Sequence, residues 1–406
     1  MNTPLAVIEG YQQDLIRIRH DLHAHPETAF EEARTASIVA AELKALGIET
    51  HEGIARTGVV GVLRAGNGTR AIGLRADMDA LPINEANTFA HRSRVPGKMH
   101  ACGHDGHTTM LLGAARYLAQ HRDFDGTVYF IFQPAEEGEG GGRQMVEEGL
   151  FERFPMQAVY GMHNIPGIAA GTFGVMPGPM MASFDLLDIR IRAKGGHAAF
   201  PHEATDAVLA GSALVCALQD IVSRRISPLD SAVVSITTFH AGDTHNVLPH
   251  EARLSGTVRA FSETVRGAVE AEVRRICEGI ARMHRVDVEL GYDRRYPPTV
   301  NTEHEAGVAR EAATRLVGAG NVLTRAQALM AAEDFAFMLQ ACPGAYVWLG
   351  NGTGQEGGCM VHNPGYDFND SIMPLGCAYW VSLVQTALPP PDPLYRRHHV
   401  RPHDRS

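Results

Sequence analysis

The sequence lacks any run of about 18 consecutive apolar residues, so no membrane-spanning helix and no membrane partner are expected. Its first residues, MNTPLAVIEGYQQDL, lack a basic segment followed by an apolar stretch, so no secretory leader is expected. No strongly basic region occurs, and the formal net charge is -10, which argues against nucleic acid as a partner. That mild acidity is read as a solubility feature. Cysteine is sparse: six residues, at 102, 216, 277, 342, 359 and 377, are spread thinly rather than packed as in small secreted scaffolds. A reducing, cytoplasmic setting is therefore expected. No internal repeat is present.

What is there is an ordinary globular composition, 45% hydrophobic and 20% charged over 406 residues, long enough for two or three domains. Residues 31–46 read as an amphipathic helix, with Ala36, Val39, Leu43 and Leu46 at helical spacing and Gly47 as a stop. Strands are expected at 59–64, 71–76, 127–132 and 158–162, and a helix at 108–119. This alternation predicts an α/β layer with a mostly parallel central sheet. Residues 183–296 read differently, in the order β-α-β-β-α-β, which predicts an inserted ferredoxin-like domain. Tyr296-Pro297-Pro298 marks its end. The α/β pattern then returns over 297–388, completing the layer begun in 1–182, and 389–406 is expected to be a disordered tail.

Histidine is abundant, 21 residues, and some of it is clustered. The segment His100-Ala101-Cys102-Gly103-His104-Asp105-Gly106-His107 holds three imidazoles and a thiol in eight residues. Thiolate and imidazole two residues apart suit zinc and similar ions, and Gly103 lets the backbone bend so that both face one point. The plain alternative is a His-rich loop opening a helix. Next, Gln133-Pro134-Ala135-Glu136-Glu137-Gly138 follows an apolar strand directly. Adjacent carboxylates repel unless something positive lies near. One could bind a cation and the other take a proton from water, although alone the pair reads as a solvated acidic turn. His163 and His362 also stand in strand-end contexts, Gly161-Met162-His163-Asn164 and Val361-His362-Asn363-Pro364. Asp77 and Asp79 follow a strand and share a side-chain direction if it continues, which suits either orienting a His ligand or capping a turn.

Together these segments resemble the metal-dependent aminoacylase/carboxypeptidase family, in its hippurate hydrolase and indole-acetyl-amino-acid hydrolase branch. The resemblance runs from about His20 to about Asp370 through RHDLHAHPE, LRADMDALP, HACGHDGHTTMLLGAA, FQPAEEGEGG, GMHN, GGHAAFPH, THNVLPHEARLSGTVRAF, AAEDFAFM and VHNPGYDFND. It implies a catalytic α/β domain split by a lid or dimerisation domain, and a homodimer or higher homo-oligomer. It implies two divalent ions held by Cys102, His104, Glu137, His163 and His362, with Cys102 as the bridge. Zinc, manganese, nickel and cobalt all remain open as the ion. Glu136 becomes the general base. His197 would polarise the scissile carbonyl, and Asn246 and Arg259 would hold the substrate carboxylate. Asp77 and Asp79 would lie behind the ligands, and Glu333 and Asp334 sit in a family motif without an assigned role. The implied reaction is hydrolysis of an N-acyl amino acid to a carboxylic acid and a free amino acid. Dipeptidase or carboxypeptidase cleavage shares that chemistry. A thiol hydrolase using Cys102 with His104 or His107 as base is a different class, and it leaves Glu136, Glu137, His163 and His362 without a role. A binding protein that has lost catalysis is a further class, and the presence of Glu136 speaks against it.

Overall fold

Residues Ala71–Asp77 are buried at every position, the pattern of a strand covered on both faces rather than one. In the computed structural model, which describes residues 3–325 and 327–390, the chain forms two compact units. Of the described residues, the first comprises 3–178, 301–325 and 337–390; the second comprises 179–300 and 327–336.

The first unit opens with helices α1 (Pro4–Glu9), α2 (Gln12–Ala24) and α3 (Ala33–Ala45). Strands β1 (Glu49–Ile54), β2 (Gly58–Ala65) and β3 (Ala71–Asp77) follow, then helix α4 (His104–His121), β4 (Gly126–Gln133) and β5 (Ala158–Pro166). In the second unit come β6 (Phe184–Arg192), α5 (Ala207–Asp220), β7 (Ala232–Ala241), β8 (Glu251–Ala260), α6 (Glu263–His284) and β9 (Asp287–Tyr296). The chain re-enters the first unit with α7 (Glu303–Val317), β10 (Gly344–Gly352) and α8 (Met373–Ala387).

The first unit's sheet has eight strands in the order β1-β2-β4-β3-β5-β10, followed by the two-residue strands Phe173–Gly174 and Val322–Leu323. Its centre, β4-β3-β5-β10, is parallel, and the β1-β2 hairpin adds antiparallel strands at one edge. The mostly parallel α/β layer expected from sequence is therefore present. Side chains of α4, α8 and α2 join one continuous core with β3, β4 and β10. Parallel sheets place ligand sites beyond the carboxyl ends of their strands, where β3 ends in Asp77, β4 in Gln133 and β5 runs through His163.

The second unit is a four-stranded antiparallel sheet, order β7-β8-β6-β9, with α5 and α6 on one face. This is the ferredoxin-like arrangement. Burial alternates along β6 and β8, as one covered face requires. The stretch Ala207–Arg225 is long and apolar enough to cross a membrane by length and composition. Its Ala210, Leu214, Leu218 and Ile221, however, are buried in this sheet's core, so it serves as a core helix. The expectation of a disordered tail falls, from residue 391 on, outside the described residues.

Candidate metal centre

The site is assembled in the first unit from the ends of parallel strands and the first turn of α4. Gly103 stands in the left-handed region at φ 97, and a Cβ there would lie 2.3 Å from Asn164 Oδ1 and 2.5 Å from Tyr366 Oη. Only glycine fits that bend. It turns the chain between Cys102 and His104, and α4 begins at His104, four residues earlier than the periodicity suggested. The helix's first turn is polar because its side chains face the site rather than the apolar core.

Cys102, His104 and His163 each offer one donor atom, and these atoms lie within 4.8 Å of one another. So do those of Cys102, Glu137 and His362, and those of His104, Glu136 and Glu137. Cys102 Sγ is 3.3 Å from His163 Nε2, and His362 Nε2 is 3.2 Å from Glu137 Oε1. The two triads that share Cys102 thus bring together all five residues expected as ligands. Donors about 2.0–2.3 Å from a common ion stand roughly 3–4.5 Å apart, which matches this spacing.

The donors are also oriented as ligands. His163 Nδ1 is 2.6 Å from the Asn164 carbonyl, so Nδ1–H donates there and Nε2 keeps its lone pair on the Cys102 side. Burial and the nearby His107 hold the His163 pKa well below its usual range, leaving the neutral, ligating form. His104 Nδ1 is held by Asp79 Oδ1 at 3.2 Å, which leaves His104 Nε2 buried without a hydrogen-bond partner. Glu137 Oε1 is likewise buried and faces His362 Nε2 at 3.2 Å. Burial works against a charge on His104, yet Asp77 and Asp79 outweigh it and raise the pKa to about 10. That negative field attracts any cation, not only a proton. Burial, then Glu137 and Glu136, push the Cys102 thiol pKa well above its usual value. A nucleophilic thiol needs the opposite shift, so the geometry disfavours a thiol mechanism and suits a thiolate that forms against a cation. The residues therefore fit a pair of divalent cations.

Asp79 does two jobs: its second oxygen accepts the Glu137 N–H at 2.9 Å. Asp77 is committed elsewhere, to His107 Nδ1 at 2.6 Å and Arg75 Nη1 at 2.7 Å. His107 reaches Asn164 on its other side, Nε2 lying 2.7 Å from Asn164 Oδ1. Asp79 thus fixes His104 and Glu137, whereas Asp77 is hydrogen-bonded to His107 and Arg75 and to none of the five donors. Two non-glycine residues of the site, Ala135 at φ 54 and His362 at φ 63, adopt left-handed backbone, and the His362 N–H is anchored on the Ala101 carbonyl at 2.7 Å.

The family model described as "Peptidase family M20/M25/M40" matches residues 73–386. The chain belongs to that family. It is 42% identical over 373 residues to a hippurate hydrolase of Campylobacter jejuni, covering 92% of this chain and 96% of that one. To an N-acyl-L-amino acid amidohydrolase of Geobacillus stearothermophilus it is 44% identical over 297 residues, 73% of this chain and 80% of the other. A crystal structure of a dinuclear metal binding peptidase of the M20 family from Bacillus subtilis superposes with a TM-score of 0.82 at 35% identity, covering 94% and 99% of the two chains.

The remaining residues implied by the resemblance to this family lie in the second unit. His197 belongs to the two-residue strand Gly196–His197, paired with Val247–Leu248, and it is exposed. Asn246 adjoins it: the Ala198 N–H donates to the Asn246 carbonyl at 3.0 Å. Arg259, on β8, lies 4.1 Å over the Phe184 ring, with Nη1 buried and lacking a hydrogen-bond partner. Glu333 accepts the Phe335 N–H at 3.0 Å.

Sequence reading missed Asn164, Tyr366 and Glu32. Asn164 was findable from its place beside His163. Tyr366 Oη and Asn164 Nδ2 are 2.6 Å apart, a contact across 202 positions that no local pattern signals.

Proposed function

We propose that the protein hydrolyses the amide bond of N-acyl amino acids of the hippurate type, releasing a carboxylic acid and a free amino acid. The observation that carries this reading is the convergence of one thiol, three imidazoles and one carboxylate, with His104 Nε2 buried and without a hydrogen-bond partner. In it, Cys102, His104, Glu137, His163 and His362 would hold two divalent cations, with Cys102 common to both donor triads. Cations held there supply Lewis acidity, which makes water nucleophilic near neutral pH and polarises a carbonyl. Thiolate favours softer ions, with zinc, manganese, nickel and cobalt as candidates.

Glu136 stands beside His104 and Glu137 and acts as general base. Its carboxylate takes the proton of the attacking water and delivers it to the departing amide nitrogen as the C–N bond breaks. His197 donates to the oxygen that gains charge in the transition state. Arg259 and Asn246 bind the substrate carboxylate; an unpaired guanidinium nitrogen on Arg259 supports this, since a carboxylate would satisfy it. The second unit is a lid and dimerisation domain, and the exposed apolar Val208, Leu209 and Val222 on one helix support a homodimer. A free thiol at Cys102 suits the reducing cytoplasm.

The test is Glu136→Ala, with bound metal quantified alongside turnover of hippurate, other N-acyl amino acids and dipeptides. Two equivalents of metal retained with turnover reduced about 10²–10⁴-fold is the expected result. Full turnover with metal bound would remove Glu136 as the base. Faster cleavage of dipeptides than of acyl amino acids would move the substrate class to peptides.

A further inference from the structure

Glu32 is fully buried at the start of α3, and among the described residues no basic side chain pairs with it. Its carboxylate is held entirely by neutral donors. Oε1 accepts the Phe30 N–H at 3.0 Å and the Ala135 N–H at 2.9 Å; Oε2 accepts the Thr57 hydroxyl at 2.6 Å. Burial raises its pKa to about 7, and the charge of Asp79 adds to the rise. A buried carboxylate without a cation is a costly choice for mere packing.

What it grips is the turn that carries both glutamates of the site. Ala135, immediately before Glu136, has its N–H on Glu32 and its carbonyl on the Gly141 N–H at 3.0 Å. Its φ of 54 is disfavoured for a residue with a Cβ, so outside contacts must hold it. Two residues on, the Glu137 N–H rests on Asp79. The turn is therefore clamped by two carboxylates, and they differ in kind. Asp79 also orients His104, whereas Glu32 reaches the site only through Ala135.

We propose that Glu32 is a positioning residue, whose Oε1 locks Ala135 in the left-handed turn that aims Glu136 and Glu137 at the donor cluster. This rests on the roles given to Glu136 and Glu137 above. The function is geometric rather than electrostatic, which sets apart three substitutions. Glutamine keeps an Oε1 for both N–H groups, and its amide can donate to the Thr57 hydroxyl. Aspartate keeps the charge but is one methylene short of Ala135. Alanine removes the clamp.

The experiment measures bound metal, metal release to a chromophoric chelator, and kcat and KM for hippurate, in Glu32→Gln, Glu32→Asp and Glu32→Ala. Expected for Asp and Ala is weakening of one metal equivalent by about 10–100-fold and a similar fall in kcat, with KM within about threefold. Expected for Gln is metal content and kcat within about threefold of the parent. The Gln and Asp variants decide the matter even if the Ala variant does not fold. Normal metal affinity and kcat in the Asp variant, or a Gln variant as defective as the Asp one, overturns the proposal. Glu136→Ala run in parallel separates the two levels. If it turns over normally, the base role of Glu136 on which this proposal rests fails; if it is inactive while all Glu32 variants are normal, only the role of Glu32 fails.

Discussion

Cys102 and His104 can face one point because the residue between them has no side chain. Gly103→Ala would press a methyl into Asn164 and Tyr366, both buried, at a φ that alanine resists. We expect metal affinity to fall at least about tenfold, measured by chelator competition. Unchanged affinity would show that the bend does not set the ligand geometry. Glu32 carries a second consequence at this scale, in stability. Its folded pKa, about 7, lies above its ordinary 4.5, so its contribution is fully present below pH 4.5 and is lost as pH rises through 7. Glu32→Gln has no charge to bury and should be more stable than the parent at pH 8, by up to about 3 kcal/mol, but nearly equal to it at pH 5. Denaturant unfolding at the two pH values reads this directly; parallel pH profiles would refute it.

At the scale of elements, α2 acts as a charged strut beneath the site. Arg19, fully buried, contacts Asp105 at 3.3 Å, Asp367 at 2.7 Å and Asp370 at 2.7 Å. His23, one turn on, lies 2.9 Å from Asp105 and 3.2 Å from Glu85. Asp105 follows the donor His104, and Asp367 lies shortly after the donor His362, so α2 ties two donor segments together. Removing one member of a buried network strands its partners. Arg19→Met should cost about 3–5 kcal/mol in denaturant unfolding; a loss under about 1 kcal/mol would mean the network is solvated in solution. Burial opposes a charge on His23, yet Asp105 and Glu85 prevail and raise its pKa to about 9. Its stabilising contribution is complete below about pH 6.5 and is lost as pH rises through 9. Stability should therefore decline over that window, and His23→Leu should flatten the decline.

For the whole molecule, the proposed chemistry predicts that exhaustive chelation abolishes turnover and lowers the unfolding temperature, and that divalent cations restore both. Activity that survives chelation while metal content falls to zero would revive Cys102 as a nucleophile. Leu209→Asp should convert the expected dimer to monomer in light scattering, whereas a parent that is already monomeric would remove the dimer. How legible all this was in the chain differs by element. The parallel core strands were readable as short continuous apolar runs, and α3 because its apolar positions follow the helical period. Helix α2 was not, since Arg19 and His23 share its inward face with Leu15 and Leu22 and interrupt the apolar period. The start of α4 was misplaced for the same reason: His104, Asp105 and His107 are buried but polar.

The chain alone determined the two-unit character and the resemblance to the family, and through that resemblance the expected donor set, because thiol, imidazole and carboxylate keep their chemistry wherever they stand. Tertiary structure decided which of them meet, that Nδ1 of His104 and of His163 is the hydrogen-bonded nitrogen, and that Glu32 and Arg19 hold the site in place. Those facts arise from contacts such as Glu32 to Ala135, 103 positions apart, and Arg19 to Asp367, 348 apart. Contacts of that separation are set by how a parallel sheet aligns its strand ends, and local periodicity carries no record of it.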